Sequence, residues 1–452
     1  GALSRFGPLL HGVMPSSVDG GEPDQFLALE IAHRAMVDAD ALRHPLPGDR
    51  VEVVLGRGTY INRGFSTVVQ HGVIVDRVLS VLRSLHPEHD EAELAEIKRQ
   101  LKASLPPFNS EMAPALVPNL VTGRIANRLD FQGVNYIIDA ACASSHIAIE
   151  RGIEDLRAGK CDMAVVGVVH ASTPAPIFMI FCQLAALSRH GQIRPFDRDA
   201  DGTLLAEGLG VLVLKRLSEA EEAGDRIYAL LKAVGTASDG RGLGMLAPRL
   251  EGESLALRRA YEQSGIDPRS VGLLEAHGTA TNVGDETEIA ALKSVFGGRA
   301  GDAPTCALGS VKSMSGRCLP ADGSARETKA ALALYHKVLP ATLNCEHPNP
   351  DLGIEESPFY INTRTRPWIH GAASPRRAGV NAFGFGGINA HAVLEEYTGR
   401  AERERGIFMK RPCEVLVVEA GSRDALVQAT GEIVSELSAV GAPDLGDVAA
   451  RR

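Results

Sequence analysis

Three short apolar runs in this chain each end just before a chemically reactive side chain: Val134–Ile138 before Cys142, Val271–Glu275 before His277, and Ala307–Val311 before Lys312. The first run is rich in β-branched residues and bounded by Gly133 and Asp139, which predicts a buried strand. From Ala141 to about Leu156 the apolar spacing becomes helical, so Cys142 sits where a strand turns into a helix. The first N–H groups of a helix have no internal partner and carry partial positive charge. A thiol placed there gains thiolate character, which a nucleophile needs. A lone buried cysteine is otherwise simple core filler. The imidazole and the ammonium that follow the other two runs change that reading. In open α/β sheets, sites are built beyond the carboxyl ends of strands. A thiol, an imidazole and a lysine gathered there suggest covalent acyl chemistry.

The 452 residues suffice for two large domains or one duplicated one. The net charge of −9, without a basic block, argues against a nucleic-acid partner. The longest uncharged apolar run, Ile177–Leu187, falls short of the ~20 residues a membrane span needs, so no membrane partner is expected. No secretory signal opens the chain, and the seven cysteines are scattered without a CxxC pair. A reducing, cytoplasmic setting with no disulfide framework and no metal site is expected. Asp197–Gly210 alternates oxygen ligands like a calcium loop but lacks the acidic twelfth residue.

Alternating strand and helix patterns predict α/β layers. Helices are expected over Glu22–Ala39, the second half of Ile61–Leu85, Asp90–Leu105, Glu286–Phe296 and Ala325–Lys337, with a loop over Pro106–Leu120. A charged stretch, Arg400–Arg411, marks a boundary after Tyr397; beyond it Cys413–Glu419 reads as a strand and Ser422–Leu437 as a helix.

Five motifs, taken in order, resemble those of β-ketoacyl synthases: Asp139-Ala-Ala-Cys-Ala-Ser-Ser145, Glu275-Ala-His-Gly-Thr-Ala-Thr281 with Asp285, Gly309-Ser-Val-Lys-Ser313, Asn381 to His391, and Arg194-Pro-Phe-Asp197 with Glu207-Gly208. The resemblance covers about residues 10–396 and is nearest to ketosynthase domains of type I polyketide synthases. It implies the thiolase fold, five αβαβα layers from two similar halves, here 1–225 and 226–396, and a homodimer. Residues 397–452 resemble the linker that leads to an adjacent acyltransferase module in the same polypeptide. Substrates would arrive on the phosphopantetheine arm of an acyl carrier protein, with no bound cofactor. By this resemblance Cys142 takes the acyl chain. Its N–H and one from the Phe383–Gly387 loop (Phe383, Gly384, Phe385, Gly386) form the oxyanion hole. His277 hydrogen-bonds the malonyl thioester carbonyl, Lys312 fixes the histidine and its field, and Phe385 gates the acyl pocket. Thr279 and Thr281 touch the pantetheine arm, and Glu207 is a buried structural acid. Pro174–Leu187 suits either core or acyl pocket.

The chain departs from the family in three places. The second catalytic histidine is replaced by Arg317, and the following helix, apolar and small in the family, carries Asp322, Arg326 and Glu327. Arginine stays charged and offers no acceptor, whereas histidine exchanges a proton near neutral pH. Arg317 can still donate to a carbonyl, but acylation of Cys142 is expected to persist with condensation impaired. A non-elongating transacylase, or a non-catalytic partner resembling a chain-length factor, is the alternative. Second, His146 stands where the family has an aliphatic residue. It is either a substitute base one helical turn from Cys142 or a tolerated polar residue near a dimer contact. Third, the family's opening strand and helix have no counterpart before Gly1; without them a sheet edge would be exposed, so a truncated or incomplete chain is expected rather than a naturally short one.

Overall fold

The computed structural model describes residues 6–58, 62–108, 110–242, 244–299, 301, 303–371, 374–399 and 416–438. Four strands form the first sheet: β1 (Val51–Gly56), β2 (Asn135–Ile138), β3 (Met163–His170) and β4 (Gly208–Leu214), in the order β2-β1-β3-β4. β1 runs parallel to β2 and β3, and β4 is antiparallel to β3. Every residue of β1 and β3 is buried, which matches their unbroken apolar runs, since strands covered on both faces need no polar alternation. β2 departs from the expectation of a buried strand. It is the outer strand, half-buried along its length, and Val134 before it is 64% exposed. An apolar run of that length fits a central strand and an edge strand equally well.

The second sheet contains β5 (Leu230–Ser238), β6 (Leu273–Glu275), β7 (Cys306–Gly309), β9 (Phe359–Ile361), β11 (Arg377–Gly384) and β12 (Ile388–Glu395), in the order β5-β12-β11-β6-β7-β9. A two-stranded ribbon, β8 (Val338–Leu339) with β10 (Arg366–Pro367), stands apart. The series β4-β3-β1-β2 and β12-β11-β6-β7 repeat one pattern, an antiparallel pair followed by two parallel pairs. β12 is flanked by β5, while among the described residues β4 has no strand on its outer side. A groove of about 1640 Å³ lies there, lined by Val211, Val213, Tyr228 and Leu332, and holds none of the reactive residues named above.

Helices complete the layers. α1 (Pro23–Asp38) and α4 (Leu120–Leu129) cover the outer face of the first sheet. α7 (Leu250–Ser264) and α8 (Asn282–Phe296) cover the second, with Leu257, Ile289, Leu292 and Phe296 packed on Leu274, Leu308 and Phe359. α5 (Ser144–Arg157) and α9 (Asp322–His336) lie between the sheets and touch both. The order is αβαβα, as the resemblance implies.

Helix α2 is continuous over Arg63–Leu85, with a π turn at Gln70–Ile74, and so is longer than the half expected. It packs Val75 and Leu79 on Leu94 of α3 (Glu91–Ser104), with Lys98–Asp76 and Arg83–Glu91 pairs at 2.8 Å. By length and composition α2 could cross a membrane, contrary to the reading from uncharged runs, which overlooks a span that tolerates two charges. The expected loop over Pro106–Leu120 holds short helical turns at Ser110–Met112 and Ala113–Leu116, and α8 begins four residues before Glu286. The chain divides into one unit of 1–367 with 375–396 and another of 368–374 with 397–452. In the second, Arg423–Ser438 is the expected helix. The strand expected over Cys413–Glu419 begins outside the described residues, and its described part, 416–419, is not a strand.

Candidate active site

Cys142 sits in a turn that its neighbours lock. β2 ends at Ile138, Ala141 takes a positive φ of 47°, and one tight helical turn over Ala141–Ala143 leads into α5. Positive φ is uncommon for a residue with a side chain and marks a conformation held by its surroundings. Here Asp139 Oδ1 accepts from the Ala141 N–H at 3.1 Å. Ser144 Oγ accepts from the Ala140 N–H at 2.9 Å and donates to the Ala141 carbonyl at 2.7 Å. Cys142 itself is 1% exposed. The β11–β12 turn lies against this backbone. A Cβ on Gly384 would stand 3.2 Å from both the Cys142 N and the Ala140 O, so only glycine permits that approach without displacement. Gly386 and Gly387 close the turn at φ of 85° and 74°. Their N–H groups donate to Met245 O (3.1 Å) and Gly384 O (3.2 Å), which narrows the loop's candidate oxyanion donor to Gly384 or Phe385.

His277 follows β6 and is held by its backbone. Buried Glu288 of α8 accepts from the His277 N–H (2.6 Å), the Gly278 N–H (2.8 Å) and Asn381 Nδ2 (2.7 Å). The His277 ring stands 5.9 Å from the Phe383 ring, and its Nδ1 lies 2.8 Å from Arg326 Nη1 and 3.4 Å from the Phe383 N. Burial first, then the charges of Lys312, Arg326 and Arg317, hold this imidazole well below its ordinary pKa, so it is neutral. Lys312, 1% exposed at the start of the turn after β7, donates its Nζ to the His277 carbonyl and pairs with Asp322 at 3.2 Å. Burial pushes the ammonium down to about 8, Arg326 adding to the shift and Asp322 opposing it. Cys142 also acts electrostatically on Lys312, which in turn bonds the His277 carbonyl.

Arg317, 4% exposed, lies against the nucleophile. Its Nη2 lies 3.5 Å from Cys142 Sγ. Its guanidinium stacks 5.4 Å over the Phe181 ring and 5.0 Å over the Phe385 ring, and those two rings are 6.0 Å apart. Phe181 is buried on α6 (Ala175–Gln183), within the segment that suited either core or acyl pocket, while Phe178, Met179 and Ile180 of the same helix are exposed. A backbone bridge anchors Arg317: its N–H donates to Leu204 O at 2.7 Å, and the Ala206 N–H donates to its carbonyl at 2.9 Å.

Two residues lie elsewhere than expected. His146 is fully enclosed between the sheets, with Nε2 3.2 Å from both the Val380 carbonyl and Glu327 of α9. Burial pushes His146 down to about 3 and Glu327 up to about 8, so the pair is neutral at neutral pH. It is neither at a surface contact nor poised as a base. Glu207 is exposed, not buried, and caps the Thr173 N–H at 2.9 Å. Thr279 and Thr281 bond each other through their hydroxyls at 2.8 Å beside His277. Residues given no role in the site from the sequence also build it: Glu288 holds the His277 backbone and is itself held by Asn381, and Asp322 and Arg326 hold Lys312 and the imidazole. The visible signal for the last two was charge on an otherwise small, apolar helix.

Family models for the beta-ketoacyl synthase N-terminal domain and C-terminal domain match residues 2–220 and 228–346. The chain belongs to the β-ketoacyl synthase family. A ketoacyl-synthetase C-terminal extension matches 348–440. Among solved structures, the ketosynthase from module 6 of the bacillaene synthase of Bacillus subtilis is 30% identical, with a TM-score of 0.73, over 98% of this chain and 69% of that one. This fixes the thiolase fold. Among sequences, a polyunsaturated fatty acid synthase polypeptide of a Thraustochytrium species is 36% identical over 91% of this chain. Polyketide synthase PksN of Bacillus subtilis is 35% identical over 89%. The chain spans only 15% and 7% of the length of those two relatives.

Proposed function

We propose that this domain is a ketosynthase of a type I polyketide synthase that loads an acyl chain onto Cys142 and is impaired in elongating it. The observation that carries the reading is the locked turn at Ala141–Ala143, with Gly384 against its backbone, Arg317 beside the Cys142 sulfur and Lys312 on the His277 carbonyl. The acyl chain arrives as a thioester on the phosphopantetheine arm of an acyl carrier protein. The Cys142 thiolate attacks the carbonyl, the carbon–sulfur bond to the arm breaks, and the arm leaves as a thiolate that takes up the proton Cys142 released. The Cys142 N–H and one loop N–H hold the oxyanion, each such donor contributing ~3–4 kcal/mol. Thr279 and Thr281 line the approach of the arm, and Phe385 gates the acyl pocket.

In elongation a malonyl thioester loses carbon dioxide, its enolate carbon attacks the acyl carbonyl, and the Cys142 thiolate leaves. Neutral His277 donates to the enolate oxygen, and Lys312 fixes that histidine through its carbonyl. The second neutral imidazole this step uses is absent. A guanidinium packed on two phenyl rings at the sulfur cannot adopt its geometry, and errors of about 1 Å cost on the order of 100-fold. This favours the alternative of a transacylating domain that passes the chain on. Among the described residues no strand pairs with the outer edge of half-buried β2, which supports a second copy as partner. The match of residues 348–440 to a family extension supports an adjacent acyltransferase module in a longer polypeptide.

The test is intact-protein mass after incubation with acyl-loaded carrier protein. An acyl adduct that is lost in Cys142→Ala supports the reading, and no adduct on the unsubstituted protein refutes it.

A further inference from the structure

We propose that Arg326 is a positioning residue for His277, fixing the imidazole in the tautomer that carries its proton on Nε2. A guanidinium has five N–H donors and no acceptor. With Arg326 Nη1 at 2.8 Å, His277 Nδ1 is obliged to accept, and the Phe383 N–H at 3.4 Å faces the same lone pair. A neutral imidazole holds one proton, so that proton is on Nε2. His277 is then a hydrogen-bond donor and not a general base in the resting enzyme.

Arg326 is itself immobilised. It is fully buried, and its Nε donates to the Asp322 carbonyl at 3.1 Å, one turn back on α9. Asp322 is pinned in turn by the Cys318 N–H at 2.7 Å and by Lys312 at 3.2 Å. The other charged groups around the residue are Lys312 on its carbonyl, Glu288 on its N–H and Arg317 beside Cys142. Only Arg326 and the Phe383 N–H reach Nδ1 among the hydrogen bonds of the described residues, and the second is long for a hydrogen bond. The charges on α9 that stand out from the sequence are therefore a working part of the pocket.

The inference rests on the proposed function only for what the donor is used for; the tautomer is read in the resting protein without substrate. The experiment is ¹⁵N NMR of ring-labelled histidine in the unsubstituted protein, with a through-hydrogen-bond coupling sought from Arg326 Nη1 to His277 Nδ1. The expected result is an unprotonated Nδ1 coupled to Arg326 and a protonated Nε2, unchanged from about pH 6 to pH 8. A protonated Nδ1, or no coupling, overturns the proposal whatever the enzyme's activity. Arg326→Met should admit the second tautomer and lower kcat for condensation, the step in which His277 donates, with little change in KM. Arg326→Lys, which also only donates, should restore the single tautomer. An Nε2-protonated ring that persists unmixed in the Met variant also overturns it.

Discussion

Arg317→Ala isolates what the guanidinium does at the nucleophile. Arg317 stacks on two rings, each contact contributing ~0.5–2 kcal/mol, and its charge-assisted contact with sulfur adds about 1.5–3 kcal/mol. Even at the low end these sum to roughly 2.5 kcal/mol holding the guanidinium against the sulfur, about a sixtyfold bias, since each ~1.4 kcal/mol is tenfold. Removing the cation also takes a hydrogen-bond donor from the sulfur, an effect common to every alkylating reagent. The informative quantity is therefore a ratio: the Cys142 alkylation rate with a bulky maleimide divided by that with iodoacetamide, read by intact mass. The common effect cancels, and the ratio should rise at least tenfold in Arg317→Ala. An unchanged ratio in a folded variant would refute Arg317 as the group that shields the sulfur.

Two further outcomes follow from the geometry. Glu327 is fully buried with its pKa raised to about 8, against 4.5 unfolded, so its protonation stabilises the fold below about pH 4.5 and that contribution fades as pH climbs to 8. Glu327→Gln should match the parent near pH 4 and gain up to a few kcal/mol by pH 8, at ~1.4 kcal/mol per pKa unit. Denaturant midpoints at the two pH values measure this, and an equal gain at both contradicts it. Gly384→Ala places a methyl 3.2 Å from the Cys142 N, so Cys142 acylation should fall about 10- to 100-fold with the circular dichroism spectrum unchanged.

The strand-end placement of Cys142, His277 and Lys312 was legible because apolar runs and the breaks after them mark sheet edges locally. Whether Val134–Ile138 is central or outer was not, since burial depends on what a distant segment leaves uncovered. The duplicated sheets share topology and not sequence, so residue patterns carry no trace of them. His146 shows the limit of helical spacing: it fixes a residue's position relative to Cys142 but not the arrival of Glu327 from α9. Arg326 shows the same limit, since a charge on a small-residue helix is visible while its target, 49 residues away, is not.

The account turns on Arg317 standing where an imidazole is needed, and side-by-side condensation assays test that most directly. Unsubstituted protein and Arg317→His are each loaded with an acyl chain and mixed with malonyl-carrier protein, and the elongated product is timed by mass. The account predicts acyl-Cys142 in both and product at least about 100-fold faster in the variant. Equal condensation rates would contradict it.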